Sequence, residues 1–220
     1  MTLTQLAALL SVWVAAITSP GPDTVQLTRL AANSRRKAVL GALGIMVGNT
    51  LWIVLSLAGM SALLAARPSL THLLEIAGGV VLCWMGQGAI RGGVAARKTH
   101  QATTATAQPE AQPAPAARPI NDQQAFRLGL VTNLSNPKAI IFFGAIFAQF
   151  LSPDMGAAWT VALALILITT GLMWFVGFAV AANLIAAPLA RFAPIIDILA
   201  GIIFLAVGIT LVATGIHAMI

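Results

Sequence analysis

The chain of 220 residues is 59% hydrophobic and only 8% charged, against roughly 25% charged residues in an ordinary soluble domain. That composition excludes a soluble globular fold and leaves room for several membrane spans of ~20 residues each. The net charge of +6 does not point to nucleic acid, because the Lys and Arg residues fall in connections between apolar stretches and share no face.

Six spans are predicted, in chain order. The first covers residues 4–30 and is interrupted by Ser19-Pro20-Gly21-Pro22-Asp23. Residues 1–18 contain no Lys or Arg, and Pro20 stands where a small-residue cleavage site would fall. A retained helix is therefore expected, not a signal peptide. The second span covers 39–65, with Gly44 and Gly48 four apart and Asn49 in mid-span. That glycine spacing suits close helix packing, and an Asn in hydrocarbon either lines a cavity or bonds across helices. The third span, 70–90, holds the chain's single cysteine, Cys83, which can form no internal disulfide and reads as a small packing residue.

Residues 91–125 are rich in Ala, Pro, Gln and Thr. They carry too little large apolar surface to offset the entropy of ordering, so a flexible cytoplasmic linker is expected. The fourth span, 126–151, is interrupted at Asn136-Pro137. The fifth covers 157–185 and the sixth 195–217. The domain reading is a three-helix membrane repeat over 1–90, the linker over 91–125, and a second three-helix repeat over 126–220. Because three is odd, the second repeat starts from the opposite side, an inverted-topology arrangement. The fold class is thus an all-α integral membrane protein of six transmembrane helices, built as two inverted repeats whose first helices are broken.

Orientation follows from the basic residues. Arg29, Arg35, Arg36 and Lys37 crowd the connection between spans one and two. Arg91, Arg97, Lys98, Arg118 and Arg127 lie around that between three and four, and Arg191 between five and six. The opposite side has only Arg67. The positive-inside rule places the basic connections in the cytoplasm and both termini outside.

The two breaks carry the chemistry. A helix of 26 residues is ~39 Å long and the hydrocarbon core ~30 Å thick, so both motifs fall near mid-membrane. Broken backbone survives there only where it lines a cavity or is buried in protein. Half-helix N-termini after Pro22 and Pro137 offer unpaired N–H groups to a carboxylate, and the ends before them offer free carbonyls to a cation. Asp23 and Lys138 follow the breaks with opposite sign. Charges within a span are rare and face a cavity or a partner. Asp23 also suits a helix start, whereas Lys138 there opposes the dipole. The expected substrate or ion site comprises Ser19, Pro20, Gly21, Pro22, Asp23, Asn49, Asn133, Asn136, Pro137 and Lys138. Glu75 and Asp197 read as interfacial acids, Glu75 with His72 three residues before it; either could relay protons. The five Trp residues show no stacking platform. With no phosphate loop, metal-ligand cluster or nucleophile–base pattern, neither a cofactor nor an enzymatic activity is expected.

At these residues the chain resembles the LysE/RhtB family of amino-acid exporters. Ser19-Pro20-Gly21-Pro22-Asp23 resembles the family's N-terminal motif and Asn133-Leu134-Ser135-Asn136-Pro137-Lys138-Ala139 its second-half motif. The stretch Gly41 to Trp52 and the run Ala77-Gly78-Gly79 with Gly86 also fit. The resemblance implies a six-span carrier of the bacterial inner membrane. It would export amino acids or close derivatives by alternating access, exchanging them for protons, and a homodimer is compatible with it. The alternatives are an exporter of a cation or other small metabolite, or a non-transporting scaffold. Clustered carboxylates or thiolates would suit a cation better than Lys138 does, and a scaffold leaves the paired breaks without a reason.

Overall fold

The computed structural model describes residues 2–66, 71–103, 120–150 and 156–219. All regular elements among these residues are helices: α1 (Leu3–Thr18), α2 (Pro22–Asn33), α3 (Arg35–Ala66), α4 (Thr71–Thr103), α5 (Asp122–Leu134), α6 (Pro137–Phe150) and α7 (Ala157–His217).

Local chemistry sets the helix ends. At the start of α1, Gln5 N–H donates to Thr2 Oγ1 at 3.2 Å while Thr2 N–H donates to Gln5 Oε1 at 2.8 Å. Asn121 and Gln124 make the same reciprocal pair at the start of α5, at 2.8 and 2.9 Å. Each pair satisfies two orphan donors. Pro20 and Pro22 have no N–H to extend α1. Pro22 instead takes the first position of α2, where a missing donor is tolerated, and α2 leaves at 46° to α1. The second break repeats this logic. Pro137 opens α6, and Asn136 Oδ1 accepts the Lys138 N–H at 3.0 Å.

The burial pattern is that of a protein whose solvent is lipid. Ser19, Thr24, Asn49, Asn133 and Asn136 are buried, while Trp84, Met173 and Leu184 are 62%, 72% and 79% exposed. Soluble proteins show the reverse preference. Four helical segments are long and apolar enough to cross a membrane: Arg35–Gly59, His72–Arg97, Ala157–Ala182 and Leu184–His217. The bent pair α1–α2 makes a fifth if it counts as one span. The chain is a multi-pass membrane protein. The pair α5–α6, expected as the fourth span, is not among these segments. Its first half carries Asp122, Gln123, Gln124, Arg127 and Asn133, which lower its hydropathy.

Glycines let the helices approach to backbone contact. On α3, Gly44 meets the Phe126 carbonyl of α5, and Gly41 meets Gly129. Between α4 and the second part of α7 the contacts recur every seven residues. Gly79 faces Gly208, Gly86 faces Gly201, and Gly93 faces Pro194. A Cβ on Gly86 would lie 2.7 Å from the Gly201 carbonyl oxygen, so any side chain there forces the helices apart.

Two expectations differ from the structure. The helix α4 continues to Thr103, well into the segment expected as linker, because Ala, Arg, Lys and Gln are good helix formers even without apolar periodicity. Residues 104–119 of that segment lie outside the described residues. The fifth and sixth spans, expected over 157–185 and 195–217, correspond to the two apolar segments Ala157–Ala182 and Leu184–His217, but the stretch between them is helical too, so that α7 includes Pro188 and Pro194. It nevertheless turns. Thr170 and Asp197 would be roughly 40 Å apart on a straight helix, but they bond to Trp13 and Ser19, only about 9 Å apart on α1.

Candidate functional site: the crossing of two helix breaks

Each break is answered by a residue of the other broken pair. Asn133, in the last turn of α5, is 0% exposed. Its Nδ2 donates to Asp23 Oδ2 at 3.0 Å and to Asn49 Oδ1 of α3 at 3.1 Å. In the other direction, Lys138 Nζ of α6 donates to the Ser19 backbone carbonyl at the end of α1, at 3.2 Å. The last carbonyls of a helix lack intrahelical partners and carry the negative end of the dipole, so an ammonium is favoured there. Gly48 makes room for this crossing. A Cβ on it would lie 2.5 Å from Asn133 Oδ1.

Ser19 has a second bond. Its hydroxyl donates to Asp197 Oδ1 of α7 at 2.6 Å. Lys138 interacts electrostatically with both Asp197 and Asp23 but forms an ion pair with neither. Among the described residues the ion pair between Lys or Arg and a carboxylate is Arg36–Asp122 at 2.7 Å, and His72 Nδ1 lies 3.3 Å from Glu75 Oε2. Two carboxyl groups, those of Asp23 and Asp197, therefore share one amine as their nearby charge partner. Asp23 Oδ1 and Asn133 Oδ1 are buried with no hydrogen-bond partner. An unsatisfied buried acceptor costs about 1–3 kcal/mol, and of the two residues Asp23 lines the cavity, where a donor could reach it.

A cavity of about 40 Å³ lies at the crossing. Ser19, Gly21, Asp23, Asn49, Asn136 and Lys138 form its polar wall, and Trp13, Phe142, Phe143 and Phe175 its aromatic one. The Trp13 ring sits 5.8 and 5.7 Å from Phe142 and Phe143, and its indole N–H donates to Thr170 Oγ1 at 2.9 Å. This volume admits a water molecule but no amino acid. A second cavity, of about 490 Å³, adjoins it at Ser19 and Lys138, which line both.

Of the residues expected at the site, Ser19, Gly21, Asp23, Asn49, Asn136 and Lys138 line the small cavity. Pro20 and Pro137 line the larger one. Asn133 is buried behind the cavity wall, bonding Asp23 to Asn49, and Pro22 serves as the exposed first residue of α2. Asn49 both lines the cavity and bonds across helices. Glu75 pairs with His72, as expected, but Asp197 does not behave as an interfacial acid. It joins the site through Ser19. Its position between Pro194 and Gly201, at i+3 and i−4 on the helix face packed against α4, is the signal that would have found it. The Trp residues were likewise underestimated, since Trp13 anchors the cavity's aromatic wall.

Broken helices meeting at a charged cavity inside an apolar bundle define a membrane translocator rather than an enzyme. The chain belongs to the LysE type translocator family, which matches residues 14–215. It is 37% identical over 209 residues to the threonine efflux protein of Escherichia coli (strain K12), covering 91% of this chain and 94% of that one. The Salmonella typhi threonine efflux protein is 38% identical over the same share of each chain. The leucine efflux protein of Enterobacter sp. (strain 638) is 31% identical over 152 residues, covering 69% of this chain and 64% of that one. No solved structure matches the chain significantly.

Proposed function

We propose that the protein is a secondary transporter that exports amino acids, L-threonine foremost, from the cytoplasm across the bacterial inner membrane in exchange for protons. The observation that carries this reading is the reciprocal crossing of the breaks, Asn133 on Asp23 and Lys138 on Ser19. It gathers a carboxylate, an ammonium and free acceptors at one point inside an apolar bundle, the complement of a zwitterion. Asp23 with its unpartnered oxygen receives the substrate ammonium or the coupling proton. Lys138 receives the substrate carboxylate, and Asn49 and Asn136 complete the wall. The threonine and leucine efflux relatives support an amino acid as cargo. Lys138 in the site disfavours cationic cargo.

In this reading the six spans form two inverted three-helix repeats, 1–90 and 126–220, that rock about the crossing. Each repeat contributes one proline break and one charge. The Arg36–Asp122 ion pair brings two of the basic connections together, which supports placing them on one face. The positive-inside rule makes that face cytoplasmic and both termini external. A small central cavity with no room for cargo suits an occluded or resting state.

The test is efflux of preloaded, labelled amino acids from cells overproducing the chain, with and without a proton gradient. Gradient-dependent loss of L-threonine or a few neutral amino acids is the expected result. No efflux across a broad panel, with the protein in the membrane, would turn the reading toward ion export or a non-transport role.

A further inference from the structure

Lys138 and Asp197 are both hydrogen-bonded to Ser19, one at its carbonyl and the other at its hydroxyl, yet they form no ion pair with each other. Opposite charges in a membrane interior ordinarily pair, because leaving them apart is costly. Here neither is saturated. The second oxygen of Asp197 makes no hydrogen bond to any described residue, and an ammonium has three donors, of which Lys138 uses one on Ser19. The two groups open onto the larger cavity, about 490 Å³ in volume, within the range of about 300–1,000 Å³ usual for small-molecule sites. Its polar rim adds Arg91 and Gln87, which bond to each other at 3.4 Å. Trp84, Met85 and Phe204 supply the apolar part of its lining.

We propose that this cavity is a separate entry station for an α-amino acid, in which Asp197 holds the ammonium, Lys138 and Arg91 hold the carboxylate, and the apolar wall takes the side chain. The proposal rests on the reading of the chain as an amino-acid exporter and deepens it. Cargo is held first beside Ser19, in the roomy cavity, and passes to the tight crossing site when the Ser19 contacts to Lys138 and Asp197 open. Lys138 lines both cavities and so keeps hold of the carboxylate through the transfer. The ammonium moves from Asp197 to Asp23. The stretch from Trp84 to Gly92 that lines the station lies at the middle of α4, with Arg97 further along the same helix.

The test uses the full chain with Cys83→Ala and a single reporter thiol from Ala89→Cys, which lines the station, or from Gly88→Cys should that protein fold poorly. Labelling of the thiol by a maleimide is measured with L-threonine, L-leucine or 2,3-dihydroxybutyrate present, the last lacking the ammonium. The expected result is protection by the amino acids and none by the hydroxy acid. Asp197→Asn should raise the half-protecting concentration at least tenfold. Asp23→Asn should abolish export yet leave protection within about twofold. Protection that survives Asp197→Asn, or that vanishes with Asp23→Asn, overturns the separate station while leaving export intact. Absence of protection in a reporter protein that still exports does the same. A parent chain that exports no amino acid strikes the export reading itself.

Discussion

Lys138 Nζ lies 3.2 Å from the Ser19 carbonyl oxygen, so the ammonium that opens one half-helix caps the end of another. Removing it leaves the α1 terminus without its cation and both nearby carboxylates without a counter-charge. Lys138→Met is expected to lower efflux at least tenfold with unchanged protein in the membrane. Lys138→Arg keeps the charge but replaces a compact ammonium by a planar fork, and should fall between the two. Labelled-threonine efflux from matched cells measures both.

The Asn133 amide is the mirror of that contact, tying Asp23 to Asn49. Asn133→Ala strands two buried acceptors. A loss of about 1–3 kcal/mol in stability is expected, together with loss of transport. Thermal unfolding in detergent reads the first effect and efflux the second. Asn133→Leu should behave as badly, because shape alone does not replace the donor.

Gly48 allows Asn133 to sit where it does, since a methyl there would lie 2.5 Å from Asn133 Oδ1. Gly48→Ala is therefore expected to displace the amide and reduce efflux several-fold or more. Gly59→Ala on the same helix meets nothing within 4 Å and should leave efflux unchanged. The pair separates a specific steric effect from a general effect of helix composition.

The seven-residue glycine contacts of α4 with α7 predict a stability effect. Gly86→Val would drive a branched side chain into the Gly201 backbone. Overpacking of this kind costs typically 1–3 kcal/mol. A lower unfolding temperature in detergent is expected, with Gly177→Ala, which meets nothing within 4 Å, as the neutral comparison.

Much of the site was legible because it breaks the rules of its surroundings. Proline, asparagine and charge inside apolar stretches have few structural excuses, and both motifs came together as that logic requires. What stayed hidden depends on tertiary packing. Asp197 is 178 residues from Ser19, and only the tertiary packing of α7 brings the two together. Trp13 looked like one of several scattered aromatics until Phe142 and Phe143 closed on it. The helical extent of α4 and the continuity of α7 were missed for a different reason. Hydropathy locates what crosses the membrane, whereas helix propensity and hydrogen bonding decide where a helix ends.

The most direct test of the account is proton-gradient-driven efflux of labelled L-threonine from preloaded cells carrying the native chain, Asp23→Asn or Lys138→Met at equal membrane levels. Rapid gradient-dependent loss is expected with the native chain and background loss with each variant. Native rates from both variants would contradict it, because the crossing of the two breaks could not then be where cargo and proton are held.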